Sequence, residues 1–246
     1  MRDLRIGSTE TIVKYYNYIR EVCDVTQHHD FRPIGGPKDI VEVDESHLFK
    51  RKYHRGRLLS LELQHFWVFG AISRVTKELW IERIPDKSRA TLDPIIERVV
   101  KPSSYIMSDC HRSYINIHRR LNMKGHASVN HSLRFVEGTV DIHGVLPRLG
   151  SAVRSDATVR RCKVHINTIE SAWKQLKRKL RTCRSPNMIQ GYIGEFLYRR
   201  NYFTKLPTTR KRLEKLIGDI QRVYPGPGNT SIKRPNDNCH CSPCEV

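Results

Sequence analysis

Two aspartates in this 246-residue chain close apolar runs: Asp44 in "DIVEVDES" and Asp109 in "SYIMSD". Such runs, rich in β-branched residues, read as buried strands, and each strand would deliver a carboxylate to its own end. Two carboxylates brought together repel and raise each other's pKa, so a divalent cation is the partner that lets both ionise. Mg2+ takes oxygen ligands from a few carboxylates and leaves the rest to water and phosphate. Two such ions, ~3.5–4 Å apart, can clamp the attacking and leaving oxygens of a phosphodiester exchange. A third acid is then expected. In "NTIESAWKQLKRKL" the residues Ile169, Trp173, Leu176 and Leu180 form one helical stripe, and Glu170 lies about 100° round from Ile169, at the edge of the packed face. Lys174 and Lys177 follow on the same side of the helix, with Arg178 beside them. Taken singly, an Asp at a strand end is commonly a turn residue or cap, and a helical Glu–Lys pair is commonly surface decoration. The combination carries the reading.

The segment after Asp44 turns basic: Lys50, Arg51, Lys52, His54, Arg55 and Arg57 follow in one short stretch and are expected to hold the phosphate backbone on which the acids act. The whole chain has 44 Lys and Arg against 25 Asp and Glu, a formal charge of +19 and a pI near 9.9. That excess makes a polyanion the natural partner, nucleic acid first. Residues 148–184 hold eleven Lys or Arg against Asp156 and Glu170; a solvated basic surface without ligand is the alternative. No run of about eighteen apolar residues is present, and "MRDLRIGSTE" lacks the apolar centre of a signal peptide, so neither membrane insertion nor secretion is expected. Seven scattered cysteines do not form a disulfide framework; single ones such as Cys110 are expected as buried, reduced, small apolar residues. The tail offers zinc ligands in Cys239, His240, Cys241 and Cys244 but lacks the second pair of a closed site.

These side chains need particular elements to position them. Residues 8–23 begin with Ser8 or Thr9 as cap and repeat Ile12, Tyr15 or Tyr16, Ile19 and Val22 at helical spacing. The expected organisation is a remnant of a helix-turn-helix DNA-binding segment over 1–25 and a linker over 26–38 that contains Pro33, Gly35, Gly36 and Pro37. A catalytic domain over 39–204, a C-terminal helix over 205–224 and a disordered tail over 225–246 complete it. Within the domain, strands are expected at 39–46, 65–73, 78–85, 104–109 and 126–132. Helices are expected at 90–102, through Tyr114, Ile117 and Leu121, from 167, and at 186–203, with a loop insertion over 138–163. This order gives an α/β fold: a mixed five-stranded sheet flanked by helices, in ribonuclease H-like arrangement. There the first and fourth strands lie side by side and parallel, which would bring Asp44 and Asp109 together.

Four motifs, "VEVDESHLFKRKYHRGR", "SDCHRSY", "VNHSLRFV" and "HINTIESAWKQLKRKL", stand in this order. Together they resemble the catalytic domain of DDE transposases of the Merlin superfamily and their bacterial insertion-sequence relatives, over roughly residues 8–203. The resemblance implies a ribonuclease H-like fold, Asp44, Asp109 and Glu170 as catalytic acids holding two Mg2+ or Mn2+ ions, and Lys177 as the basic residue two turns after the last acid. It implies strand cleavage and strand transfer at element ends, with element and target DNA as partners and a homo-oligomer as the active complex. The nucleus would be the place of action in a eukaryote and the cytoplasm otherwise. Some bacterial relatives have asparagine in place of the third acid, which Asn167 could match; Glu170 is preferred because carboxylate binds Mg2+ better than amide. Asn130, His131 and His165 are secondary candidates that either touch substrate or orient backbone. The 60 residues between Asp109 and Glu170 exceed the family's usual spacing. Either a tolerated insertion or a decayed copy accounts for that, so a catalytically inactive or domesticated DNA-binding protein is the alternative.

Overall fold

The computed structural model describes residues 8–49, 63, 65–129, 139–143, 159–183, 185–227 and 229–233. The chain divides into two compact units, one of Arg32–Arg181 and one of Met1–Phe31 with Thr182–Val246.

The first unit is built on five strands: β1 (Ile40–His47), β2 (Trp67–Ser73), β3 (Leu79–Ile84), β4 (Tyr105–Asp109) and β5 (Gly125–Val129). Their order in the sheet is β3-β2-β1-β4-β5. β2 runs antiparallel to β1 and β3, and β4 runs parallel to β1 and β5. This is the ribonuclease H-like arrangement expected from the sequence. β1 is central and covered on both sides, which is why Val41 and Val43 are wholly buried and why its apolar run is nearly continuous. Asp44, Gly70 and Ile81 stand in one row across β1, β2 and β3. α4 (Asn167–Lys179) lies on that face, while α2 (Arg89–Val99) lies on the other, its Arg98 bonded to Glu82 and stacked over Trp80. Ser88 caps α2 by accepting from Thr91 N–H at 3.3 Å.

Several expectations are corrected. The single helix expected after β4 is broken: a 3-10 turn over Arg112–Tyr114 is separated from α3 (Ile117–Arg120) by Asn116, whose φ of 59° is left-handed and interrupts the helix. The segment 138–163 is not loop throughout. Its ends form an antiparallel pair, β6 (Thr139–His143) and β7 (Val159–Lys163), in register from Thr139↔Lys163 to His143↔Val159. Cys110 is exposed, whereas Cys23, Cys162 and Cys183 are buried.

The second unit packs α1 (Thr9–His29) with α5 (Pro186–Asn201) and α6 (Thr209–Val223). α1 continues past residue 25 into the expected linker because Thr26 and Gln27 are buried and Gln27 accepts from Asn201 Nδ2 at 3.2 Å. Gly194 of α5 abuts Asp24, and Gln190 donates to Asp24 at 2.9 Å. Tyr15 and Tyr16 do not serve the buried stripe; they are 62% and 57% exposed, and only the C-terminal half of α1 is packed. Past α6, where a disordered tail is expected, Ile232 N–H returns to the Arg222 carbonyl at 3.0 Å. The cysteines of the tail lie outside the described residues. No helix among the described residues is long and apolar enough to cross a membrane.

Candidate active site

Parallel pairing of β1 with β4 runs Ile40↔Tyr105, Val41↔Ile106 and Glu42↔Met107. The pairing ends there, and the same register carried two residues on brings Asp44 next to Asp109, whose charge acts on it. Asp44 does not end its strand as expected, because β1 runs on to His47 in pairing with β2. Asp44's carboxyl is raised to about 7, first by burial and then by the charges of Glu45 and Asp109. The Trp173 indole opposes the shift by donating Nε1–H to Asp44 Oδ2 at 2.9 Å. Asp109 is steadied by the turn that follows it, its Oδ1 accepting from His111 N–H at 3.0 Å.

α4 reaches this place because of two residues whose roles the sequence does not announce. Gly70, opposite Asp44 on β2, leaves room for the Trp173 ring: a Cβ there would meet the ring at 2.5 and 2.7 Å. Glu42, wholly buried on β1, reaches up to the start of α4. Its carboxylate accepts from Thr168 N–H at 2.9 Å, Thr168 Oγ1–H at 2.9 Å and Ile169 N–H at 3.0 Å. The residue before α4, Ile166, has no capping side chain of its own, so Glu42 supplies the acceptor and the negative charge that a helix N-terminus favours. Arg74 balances Glu42, donating Nε–H to it at 2.6 Å, and also binds the carbonyls of Lys163 and His165. His165 is thus part of this brace. Burial and the Arg74 charge push its pKa down, with Glu42 opposing.

Glu170 sits in the first turn of α4, half-buried, three residues from Trp173 and hence on a neighbouring part of the helix surface. Among the described residues, no group of three His, Cys, Asp or Glu is gathered closely enough to hold a metal ion. The structure therefore joins Asp44 to Asp109 and carries Glu170 on the helix that Trp173 ties to Asp44. The pair itself suits a hard divalent cation, since it offers carboxylate oxygens whose mutual repulsion such an ion relieves.

Lys174, Lys177 and Arg178 are exposed along α4, and the last two also complement the negative end of the helix. Asn167 is exposed at the helix start, its N–H directed to His165 Nδ1 at 3.3 Å. Lys50, Arg51, Lys52, Arg55, Asn130 and His131 lie outside the described residues. A further acid adjoins the pair. The Glu45 side chain is wholly buried, accepts from Tyr114 Oη–H, and stands 3.5 Å from Lys87 Nζ. Burial raises its pKa, and Asp109 adds to the rise.

No curated protein matches the chain. Among solved structures, the catalytic core domain of BIV integrase is similar at 11% identity and a TM-score of 0.39, over 76% of this chain and 100% of that one. The simian T-cell lymphotropic virus intasome, in complex with PP2A regulatory subunit B56 gamma, is similar at 13% identity and a TM-score of 0.33, over 87% of this chain and 58% of that one. The ISXO2-like transposase domain matches residues 36–201, from the turn before β1 to the last residue of α5. With the sheet, the aspartate pair and α4 all inside that match, the chain belongs to the family of ISXO2-like transposase domains.

Proposed function

We propose that this protein is a DDE transposase that cuts DNA at its element's ends and joins the freed 3′ ends to target DNA, with Asp44, Asp109 and Glu170 as ligands of two Mg2+ or Mn2+ ions. The observation that carries the reading is the Asp44–Asp109 pair on adjacent parallel strands, Asp44 within β1 and Asp109 at the end of β4, inside a matched transposase domain. Cutting exchanges a P–O3′ bond for one to a water oxygen, leaving a 3′ hydroxyl and a 5′ phosphate. Joining exchanges a target P–O3′ bond for one to that hydroxyl.

Bound divalent cations would supply the charge that stabilises both exchanges. The chain's own residues do the rest. Trp173 and the backbone N–H of His111 orient the two aspartates. Glu42 and Arg74 fix the start of α4 and so the place of Glu170. Lys174, Lys177 and Arg178 hold phosphate alongside. The resemblance in sequence extends the proposal to a homo-oligomeric active complex, acting in the nucleus of a eukaryotic host or otherwise in the cytoplasm.

The test is cutting of DNA in Mg2+ or Mn2+. Asp44→Asn and Asp109→Asn are each expected to abolish cutting while DNA affinity stays the same or rises. Cutting at the wild-type rate by both variants would remove the catalytic assignment. Wild-type protein that binds DNA yet never cuts in Mn2+ would instead mark an inactive, DNA-binding descendant.

A further inference from the structure

Next to the aspartate pair, between the loop entering α2 and the loop leaving β4, the surface opens into a cleft of about 440 Å3. Asp86, Lys87, Arg89, His111, Arg112 and Ser113 line it. That volume is many times a water's ~30 Å3 share, enough for more than one phosphate group. Three of these residues are cations, and the single carboxylate is engaged: Asp86 Oδ1 accepts from Ser88 N–H at 2.7 Å and Thr91 Oγ1–H at 2.8 Å. Arg89 and Arg112 are both exposed. Arg89 donates to the Arg112 carbonyl at 3.1 Å, which holds the two loops together without occupying the Arg112 guanidinium.

The frame beneath them is fixed. Ser113 Oγ–H donates to the Lys87 carbonyl at 2.6 Å, and the Lys87 ammonium is held between Glu45, at 3.5 Å, and the Trp67 ring, at 4.0 Å. The cleft adjoins the acids directly, since His111, one of its walls, donates its N–H to Asp109. Planar guanidinium groups bind phosphate oxygens in pairs, and both arginines stand within the same opening.

We infer that this cleft seats the phosphodiester backbone of DNA on the α2 side of the Asp44–Asp109 pair, with Arg89 and Arg112 as the phosphate ligands. The inference rests on the transposase reading and adds a second wall to its DNA path, opposite the cations of α4.

The experiment measures binding of a fluorescent DNA duplex over a salt series for wild type, Arg89→Gln with Arg112→Gln, and Arg89→Lys with Arg112→Lys. Losing two phosphate contacts is expected to flatten the log–log salt slope of the Gln pair by about 1.8, at ~0.9 per phosphate on duplex DNA. The Lys pair is expected to restore it. A wild-type slope in the Gln pair overturns the inference, and so does a Lys pair as flat as the Gln pair.

Cutting and joining assays on the Gln pair then identify the strand: loss of cutting assigns the cleft to the DNA being cut, and loss of joining alone assigns it to the DNA that receives the end. The two readings fail separately. Absence of cutting by wild type sinks the transposase chemistry, whereas the salt slopes are read from binding alone.

Discussion

Asp44 is ionised at a cost where it sits. Its folded pKa of about 7 lies above the ordinary 3.8, so between those values the folded protein keeps a proton that the unfolded chain releases. Stability therefore falls as pH rises through that window. By pH 8 the penalty approaches roughly 4 kcal/mol, at ~1.4 kcal/mol per pKa unit. In metal-free protein, Asp44→Asn is expected to melt above wild type at pH 8, by a margin that shrinks to less than half at pH 5, as followed by circular dichroism. Identical melting at both pH values would contradict the buried, charge-crowded carboxyl.

At this scale the sequence exposes one kind of residue and conceals another. Asp44 and Asp109 are legible because an acid that closes an apolar run has no packing reason to be there, although only Asp109 ends its strand and β1 runs on past Asp44 to His47. Glu42 is not, because its partners Thr168 and Ile169 lie 126 and 127 residues away. Its one signal is being the lone acid between buried valines. Trp173 reads as part of an apolar stripe, which it is; that its indole N–H also meets Asp44 depends on the approach of a helix to a sheet.

That approach is a matter of elements. α4 comes close to β2 because position 70 has no side chain. An alanine there would press on Trp173 and, at 3.2 Å, on Ile169, and overpacking of this sort costs ~1–3 kcal/mol. Gly70→Ala is expected to fold with a lowered melting temperature and to lose cutting activity beyond what the lost stability explains, with DNA affinity unchanged. Wild-type cutting by this variant would show that the closeness of helix and sheet is immaterial to the chemistry.

Strands β1 to β5 and helices α2, α4 and α5 follow from apolar runs and their periodicity, and with them the strand order, while α6 is legible only as a charged helical stretch. The misread elements have specific causes. Thr26 and Gln27 look like linker because their burial depends on α5, far along the chain. Asn116 breaks a helix whose apolar spacing runs on through it. β6 is short, and the residue it meets first, Val159, is separated from it by fifteen residues without periodicity.

For the molecule as a whole, charge is the quantity that decides. Of 44 Lys and Arg, 29 lie in Arg32–Arg181, where 15 of the 25 Asp and Glu lie, so that unit holds 14 of the net 19 positive charges. The unit with the aspartate pair is thus also the one a polyanion would seek. Lysine acetylation with and without DNA, read by mass spectrometry, is expected to show protection concentrated at Lys87, Lys174 and Lys177. Protection centred instead on Lys205, Lys211 and Lys215 would place DNA on the other unit.

The carboxylate that Glu42 lends to α4 has one more consequence. α4 is anchored from β1, and the β6–β7 pairing holds His143 and Val159 face to face. Foreign sequence grafted at that junction, a reporter or an affinity handle, is expected to leave the melting temperature unchanged, as followed by circular dichroism.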